Sequence, residues 1–160
     1  FLKVPEPLIQ KKFSRIMSLK DGIKKMSKSD PSDLSRINLT DDKSEILNKI
    51  KKAKTDPLPL PEEAKDLAKR PEAENLLEIY SSLKNQNLEI SVSEFRGKNF
   101  SEFKEKLSEA LTEKIEPISK EIKKLLNDEK YLDTILLEGS DKADKIASKK
   151  IKKIKELVGF

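Results

Sequence analysis

The chain has 160 residues and a formal net charge of +5, and it contains neither cysteine nor histidine. The missing cysteine excludes disulfides, thiolate metal ligands and a cysteine nucleophile, and the missing histidine excludes every Ser-His-Asp arrangement. Charged residues make up 39% of the chain, and its basic balance permits an anionic partner such as nucleic acid, although lysine excess is also common on ordinary solvated surfaces.

The first forty residues predict extended structure around one loop. The alternation in residues 13–19, FSRIMSL, predicts a short strand or an extended run. The stretch GIKKMSKSDPSD, residues 22–33, suits neither a strand nor a helix interior, so we interpret it as a loop. Gly22 is expected to give the chain room to bend before the loop. Asp30-Pro31 then predicts a cap followed by proline at the first position of a short helical turn.

From residue 42 onward, the spacing of apolar residues predicts helices. Pro117 is expected to start a new turn or to kink its helix. Gly139 predicts a helix end, Ser140 caps the next helix, and Gly159 ends it. The predicted helical segments are 42–54, 71–85, about 91–96, 100–126, 128–139 and a last one that begins after Ser140.

A proline-rich connector, PLPLPEEAK at residues 57–65, predicts a domain boundary inside it or just before it. We therefore divide the chain into residues 1–56 and residues 57–160. The second part is predicted to be an antiparallel helical bundle, and strands are confined to the first 40 residues. The predicted fold class is mainly α.

The loop carries groups that suit a polyphosphate. Lys25 and Lys28 lie three residues apart, with hydroxyls at Ser27 and Ser29. Point positive charges and small donors are what phosphate oxygens require. In nucleotidyl transfer, negative charge builds up on the leaving pyrophosphate, and cations placed there stabilise the transition state more than the ground state. A bare K-x-x-K would instead favour a solvated lysine loop.

Longer strings are more specific than the spacing of two lysines. KMSKS, residues 25–29, matches the signature loop of class I aminoacyl-tRNA synthetases. PEPLIQKKFSRIMSLKDGIKKMSKSDPSDLSRINLTDD, followed by IxxKIxxAxTD, resembles the second half of the catalytic domain of bacterial-type tryptophanyl-tRNA synthetase. The later segments AENLLEIYSSL, FSEFKEKLSEALTEKIEPI and GSDKADKIASKKIKKIKELVGF agree. The resemblance covers essentially the whole chain. Tyrosyl-tRNA synthetase is the family nearest to tryptophanyl-tRNA synthetase, but its loop and its following domain usually differ from these segments.

This resemblance implies a fold and a function. Residues 1–56 would be the C-terminal remnant of a Rossmann-type α/β catalytic domain, and residues 57–160 a helical domain that reaches the tRNA anticodon region. The family activates tryptophan with ATP and Mg²⁺ and transfers it to tRNA(Trp), so ATP, L-tryptophan and that tRNA are the expected partners. A homodimer without a membrane partner is also expected, in the cytoplasm of a bacterium or, alternatively, in an organelle.

The same resemblance implies roles for the loop residues. Lys25 and Lys28 would be catalytic residues that hold the phosphates of ATP, and Lys28 is the first choice for stabilising the charge of the transition state. Met26, Ser27 and Ser29 would shape the loop and contact ATP through backbone or hydroxyl groups.

Two other features each have two interpretations. Ile16 matches a position where the family's backbone touches the adenine of ATP, and it is also interpretable as an ordinary strand residue in a core. The last helix is rich in lysine, which indicates either a surface for tRNA phosphates or a solvated face opposite an apolar stripe. Its lysines are Lys142, Lys145, Lys149, Lys150, Lys152, Lys153 and Lys155.

The chain departs from the family in one respect. The other family signature, HIGH, contains histidine and cannot occur here. We therefore expect the chain to lack the N-terminal half that carries this motif and most of the tryptophan pocket, and to be inactive by itself. A catalytically silent RNA-binding module derived from such a synthetase, and a lysine-rich helical interaction domain, are the alternatives.

Overall fold

The structure, a computed structural model, describes residues 3–9 and 14–159, and helices dominate this part of the chain. The described strands form one two-stranded sheet within the first 40 residues, so the mainly α prediction is confirmed. Two short 3-10 segments lie at Asp33–Ser35 and Ala64–Lys69. The main elements are β1 (Met17–Ser18), β2 (Asp21–Lys25), α1 (Lys43–Lys52), α2 (Pro71–Lys84), α3 (Leu88–Glu94), α4 (Phe100–Leu126) and α5 (Glu129–Val158).

The chain divides into two compact units, Phe1–Ser119 and Lys120–Phe160. The first unit contains both strands, α1 to α3 and most of α4, and the second contains the end of α4 and all of α5. The chain on both sides of residue 56 lies in the first unit. The boundary between a catalytic part and a tRNA-binding part therefore stays a prediction about function.

The two strands form an antiparallel hairpin. Ser18 pairs with Asp21 and Met17 pairs with Lys25, with an irregular register between the two pairs. Our prediction that residues 22–33 suit no strand was wrong for the part in β2, because the pairing with β1 supplies the backbone hydrogen bonds that the composition did not suggest. The strand predicted over residues 13–19 is formed only at Met17–Ser18, and Phe13 lies outside the described residues.

Gly22 is buried in β2 and packs directly on the start of α2. A Cβ atom at Gly22 would lie 2.5 Å from the backbone carbonyl carbon of Pro71 and 2.5 Å from the backbone nitrogen of Glu72. The glycine therefore permits a close approach between two backbones, which corrects the expectation that it lets the chain bend. Helix α2 begins at Pro71, as predicted, because proline is well suited to the first helical position.

The core of the first unit is built mainly from α1 to α4, together with Leu19 from the hairpin and Leu60 and Leu67 from the segment between α1 and α2. Three aromatic rings pack edge to face at its centre, with centroid distances of 4.8 to 5.9 Å. Such aromatic pairs add about 0.5–1.5 kcal/mol each beyond the area they bury. These rings belong to Tyr80, Phe95 and Phe103.

Helix boundaries follow local signals in some places and not in others. Asp42 and Glu45 form a capping box at the start of α1, and α4 continues as one helix through Pro117. Helix α5 runs through Gly139, so the predicted division there into two helices was wrong. An interior glycine costs a helix only about 1 kcal/mol, and no atom lies within 4 Å of a Cβ built at Gly139 to enforce a break. Gly159 ends α5 with a left-handed φ of 86°, as predicted.

Candidate functional site

The KMSKS loop, residues 25–29, starts at the last residue of β2 and leads toward the 3-10 segment Asp33–Ser35. Both of its lysines and both of its serines are exposed. Met26 is half-buried and packs against the core. The structure therefore brings together the cationic and hydroxyl groups that the sequence singled out, on a turn that a ligand can reach.

Backbone hydrogen bonds hold the loop as a compact turn. The N–H of Ser29 donates to the Ser27 hydroxyl oxygen at 3.2 Å, and the N–H of Asp30 donates to the Ser27 carbonyl at 3.4 Å. The N–H of Ser32 donates to Asp30 Oδ1 at 2.8 Å. A ligand therefore meets a formed turn rather than an open chain.

Ile16 lies beside the beginning of the loop. Its carbonyl accepts a hydrogen bond from the N–H of Met26 at 3.0 Å, and its half-buried side chain packs against the core. The structure is compatible with both interpretations of Ile16, because its side chain packs against the core and its backbone is hydrogen-bonded to the loop. Its contact with adenine stays a prediction.

The far end of the loop is held by residues that our reading of the sequence missed. Arg36 Nη1 donates to the carbonyl of Asp30 at 2.9 Å, and Arg36 Nη2 lies 2.9 Å from Asp33 Oδ1. Asn38 joins them, because its Oδ1 accepts from Arg36 Nε at 3.1 Å while its Nδ2 donates to Asp33 Oδ1 at 2.9 Å. These residues lie four to nine positions after Ser29, and no motif in the sequence pointed to them.

Lys49 connects this group to α1. Its Nζ lies 2.6 Å from Asp33 Oδ2 and 2.6 Å from Asp41 Oδ2, and its side chain is only 3% exposed. Burial by itself lowers the pKa of Lys49, but the hydrogen bonds to the two carboxylates outweigh it and raise that pKa above its usual value. The hydrogen bond from Lys49 is also the largest cause that lowers the pKa of Asp33. Lys49 and Asp33 are therefore both charged at neutral pH.

An open cleft of about 460 Å³ lies where the hairpin meets α2. Arg15, Met17 and Gly22 line one part of it, and Glu74 and Glu78 line another. Burial raises the pKa of Glu78, with a smaller contribution from the neighbouring carboxylate of Glu74. This cleft has mixed charge, so the surface that suits a polyphosphate is the lysine loop.

Helix α5 presents its lysines to solvent. All seven lysines named above are exposed, and none of the residues of α5, all of which are described, is buried. Most apolar residues of this helix are exposed too, with Ile146 at 75% and Leu157 at 69%. The phosphate-facing interpretation of the helix stays a prediction.

Neither a metal site nor a membrane helix is found in residues 3–9 and 14–159. No group of three or more acidic side chains among them could hold a metal ion. No helix in that part of the chain combines the length and the apolar character that a membrane span requires.

Comparison with known proteins identifies the family. A family model described as tRNA synthetases class I (W and Y) matches residues 1–134. The chain belongs to this family. The resemblance that the KMSKS loop and its flanks carried is therefore confirmed.

Individual relatives indicate the tryptophan branch of this family. The chain is 48% identical over 160 residues to a tryptophan–tRNA ligase of Agrobacterium fabrum, covering 100% of this chain and 45% of that protein. It is 49% identical over 159 residues to a tryptophan–tRNA ligase of Rickettsia conorii, covering 99% of this chain and 48% of that protein. The chain thus spans about half the length of the curated relatives it matches, and it aligns with a C-terminal portion of them.

A solved structure agrees with the fold. The crystal structure of tryptophanyl-tRNA synthetase from Mycoplasma pneumoniae matches with a TM-score of 0.58 and 29% identity. The match covers 69% of this chain and 34% of that one. The predicted fold class, a helical C-terminal part preceded by a remnant of the catalytic domain, is confirmed.

Proposed function

We propose that this chain is the C-terminal portion of a tryptophan–tRNA ligase and supplies its signature loop and its helical tRNA-binding part. One observation carries the proposal. An intact KMSKS string, with both lysines and both serines exposed, lies on a turn whose two ends are held by hydrogen bonds, in a chain 48% identical to a tryptophan–tRNA ligase. A module that no longer handled phosphates would have no use for two exposed lysines in this arrangement.

In the proposed reaction, a carboxylate oxygen of tryptophan attacks the α-phosphorus of ATP, and the bond to the leaving pyrophosphate breaks. Lys25 and Lys28 hold the phosphates. Lys28 neutralises the charge that grows on the pyrophosphate as the bond breaks, so it stabilises the transition state more than bound ATP. In the second step, a hydroxyl at the 3′ end of tRNA(Trp) attacks the carbonyl carbon of the adenylate, which forms the ester bond to the amino acid and releases AMP.

The remaining loop residues have supporting roles in this proposal. Ser27 and Ser29 offer hydroxyl or backbone donors to phosphate oxygens, and Met26 anchors the loop on the core. The backbone at Ile16 contacts the adenine. The contacts that support these roles are the Met26-to-Ile16 hydrogen bond and the local turn around Ser27.

Mg²⁺ accompanies ATP in the family that the chain belongs to. Among the described residues, no group of three or more acidic side chains could hold a metal ion. No residue of this part of the chain is therefore assigned to the metal, and the proposed roles of Lys25 and Lys28 do not depend on it.

The proposal extends to the partners of the complete protein. The helical part from residue 57 onward binds tRNA(Trp), and the lysines of α5 face its phosphates. The complete protein is a homodimer in the bacterial cytoplasm, and the present chain alone does not activate tryptophan, because the HIGH signature is not within it.

The deciding experiment is amino-acid-dependent exchange between ATP and pyrophosphate, catalysed by the complete gene product with tryptophan and tyrosine in parallel. Exchange with tryptophan alone is expected. Exchange with tyrosine alone would move the protein to the other branch of the family. No exchange with either amino acid would favour the silent RNA-binding module, for which tRNA binding would then be measured.

A further inference from the structure

We propose that Arg36 is a positioning residue for the signature loop, and that Asp33 and Lys49 hold it in place. This inference rests on the proposed function, because the loop that Arg36 positions is the proposed phosphate site. Arg36 lies seven positions beyond the loop's last serine, and its effect on the reaction would pass through the backbone of the loop.

The guanidinium of Arg36 is fixed in orientation because each of its three nitrogens has a partner. Nη1 donates to the carbonyl of Asp30 at 2.9 Å, Nη2 lies 2.9 Å from Asp33 Oδ1, and Nε donates to Asn38 Oδ1 at 3.1 Å. The side chain is 18% exposed. A planar guanidinium with all three nitrogens engaged is a rigid support, which a flexible lysine ammonium cannot reproduce. The carbonyl it holds belongs to the residue directly after Ser29.

The support continues into the core through Asp33. One carboxylate oxygen of Asp33 meets Arg36, and the other meets Lys49 Nζ at 2.6 Å. Lys49 belongs to α1, whose Ile46 and Ile50 are fully buried at 0% exposure. A continuous polar chain therefore runs from a core helix through Lys49, Asp33 and Arg36 to the end of the loop.

The beginning of the loop is tethered separately, by the hydrogen bond from the N–H of Met26 to the carbonyl of Ile16 at 3.0 Å. Only Ser27, Lys28 and Ser29 lie between this tether and Asp30. Lys28 is thus at the middle of a short arc whose two ends are fixed. If Arg36 is lost, one end is released, and a misplacement of about 1 Å at a reacting group can cost about 100-fold in rate.

The test uses the complete gene product and four variants: Arg36→Ala, Arg36→Lys, Lys28→Ala and the double variant Arg36→Ala with Lys28→Ala. The measurements are kcat and KM for ATP in tryptophan-dependent pyrophosphate exchange, tryptophan binding at equilibrium, and the melting temperature. Arg36→Lys keeps the positive charge, and it replaces Arg36→Ala in the test if that variant does not fold. Arg96→Ala is the matched control, because Arg96 is an arginine 56% exposed that pairs with Glu62 at 3.4 Å, away from the loop.

Arg36→Ala and Arg36→Lys are expected to lower kcat by about 10- to 100-fold, while tryptophan binding and the Arg96→Ala variant stay near wild type. In the Lys28→Ala background, the Arg36 substitution is expected to add little, because its effect passes through Lys28. The positioning role would be overturned if the kcat loss of the double variant equalled the product of the two single-variant losses. It would also be overturned if the Arg36 variants had a lower melting temperature but an unchanged kcat. An unchanged kcat in Lys28→Ala would instead overturn the proposed function of the loop itself.

Discussion

Asn75 and Met17 are joined by two hydrogen bonds between one side chain and one backbone unit. The N–H of Met17 donates to Asn75 Oδ1 at 2.9 Å, and Asn75 Nδ2 donates to the carbonyl of Met17 at 3.0 Å. The side-chain amide of a helix therefore pairs with β1 as a neighbouring strand would. Because β1 belongs to the hairpin that carries the KMSKS loop, this pair attaches the loop to α2.

Asn75→Ala should destabilise the first unit by about 1–3 kcal/mol, because it leaves a backbone donor and a backbone acceptor of Met17 unpaired. Urea unfolding monitored by circular dichroism measures the change. Asn48→Ala, at an exposed asparagine of α1, is the control and should stay within about 0.5 kcal/mol of wild type. Equal unfolding midpoints for Asn75→Ala and wild type would show that the pair does not hold the hairpin.

The same substitution at two glycines should have opposite effects. Gly22→Ala places a Cβ atom 2.5 Å from backbone atoms of Pro71 and Glu72, and such overpacking costs about 1–3 kcal/mol. Gly139→Ala meets no atom within 4 Å in the middle of α5, and it should strengthen the helix by about 0.5–1 kcal/mol. Thermal unfolding of both variants measures these changes in stability. If Gly22→Ala left the stability unchanged, β2 would not be in close backbone contact with the start of α2.

The connector after α1 should contribute a pH-dependent part of the stability. Arg70 Nε and Nη2 bind the two carboxylate oxygens of Asp56 at 2.9 and 2.7 Å. Burial alone raises the pKa of Asp56, but the hydrogen bonds from Arg70 and from the N–H of Leu58 outweigh it, so that pKa lies below its usual value. A carboxyl whose pKa is lowered by folding stabilises the protein above its unfolded pKa of about 3.9, and the stabilisation disappears as the pH falls through the folded value.

Asp56→Asn should therefore cost about 1.5–3 kcal/mol at pH 7, as expected for a hydrogen bond to a charged group, and much less at pH 3 or below. Denaturant unfolding of the variant and wild type between pH 2.5 and 7 gives this difference. Glu63→Gln is the comparison, because Glu63 and Lys65 form an exposed pair with side chains 59% and 74% accessible. If the loss of unfolding free energy in Asp56→Asn did not change with pH, the stabilisation could not be attributed to the charge of Asp56.

Lys28→Ala in the complete protein should slow adenylate formation about 100- to 1,000-fold, the cost of removing one group that stabilises transition-state charge. Tryptophan binding should change little, since the proposed interaction grows as the pyrophosphate leaves. Single-turnover kinetics and equilibrium tryptophan binding separate the two effects. Lys20→Ala, at an exposed lysine in the hairpin turn, should leave both near wild type. Parallel losses in rate and in tryptophan affinity would contradict the role of Lys28.

The lysines of α5 are expected to contribute to tRNA binding through phosphate contacts. Replacing Lys145, Lys149 and Lys152 by glutamine should reduce the slope of log Kd against log salt by about 0.7–0.9 for each lysine that contacts a phosphate. Binding titrations of tRNA(Trp) at several salt concentrations measure this slope. Lys106→Gln on α4, where Lys106 pairs with Glu109 at 2.8 Å, is the control. An unchanged slope in the triple variant would remove α5 from the tRNA contact.

Local chemistry explains which parts of this fold were predictable. The start of α2 at Pro71 and the end of α5 at Gly159 are consequences of one residue's own backbone preferences. The KMSKS string and its flanks likewise lie within a few dozen consecutive residues. The break expected at Gly139 failed because a glycine only weakens a helix, and whether the helix ends there depends on what surrounds it.

The sequence by itself determined the family, the predominance of helix and the loop that carries Lys25 and Lys28. Only the tertiary structure decided what Gly22, Arg36 and Lys49 do. Gly22 needs the backbone of Pro71 beside it, and Lys49 needs the carboxylates of Asp33 and Asp41. Such roles depend on distances in space between particular side chains and backbone groups, and the spacing of residue types within a segment contains no information about those distances.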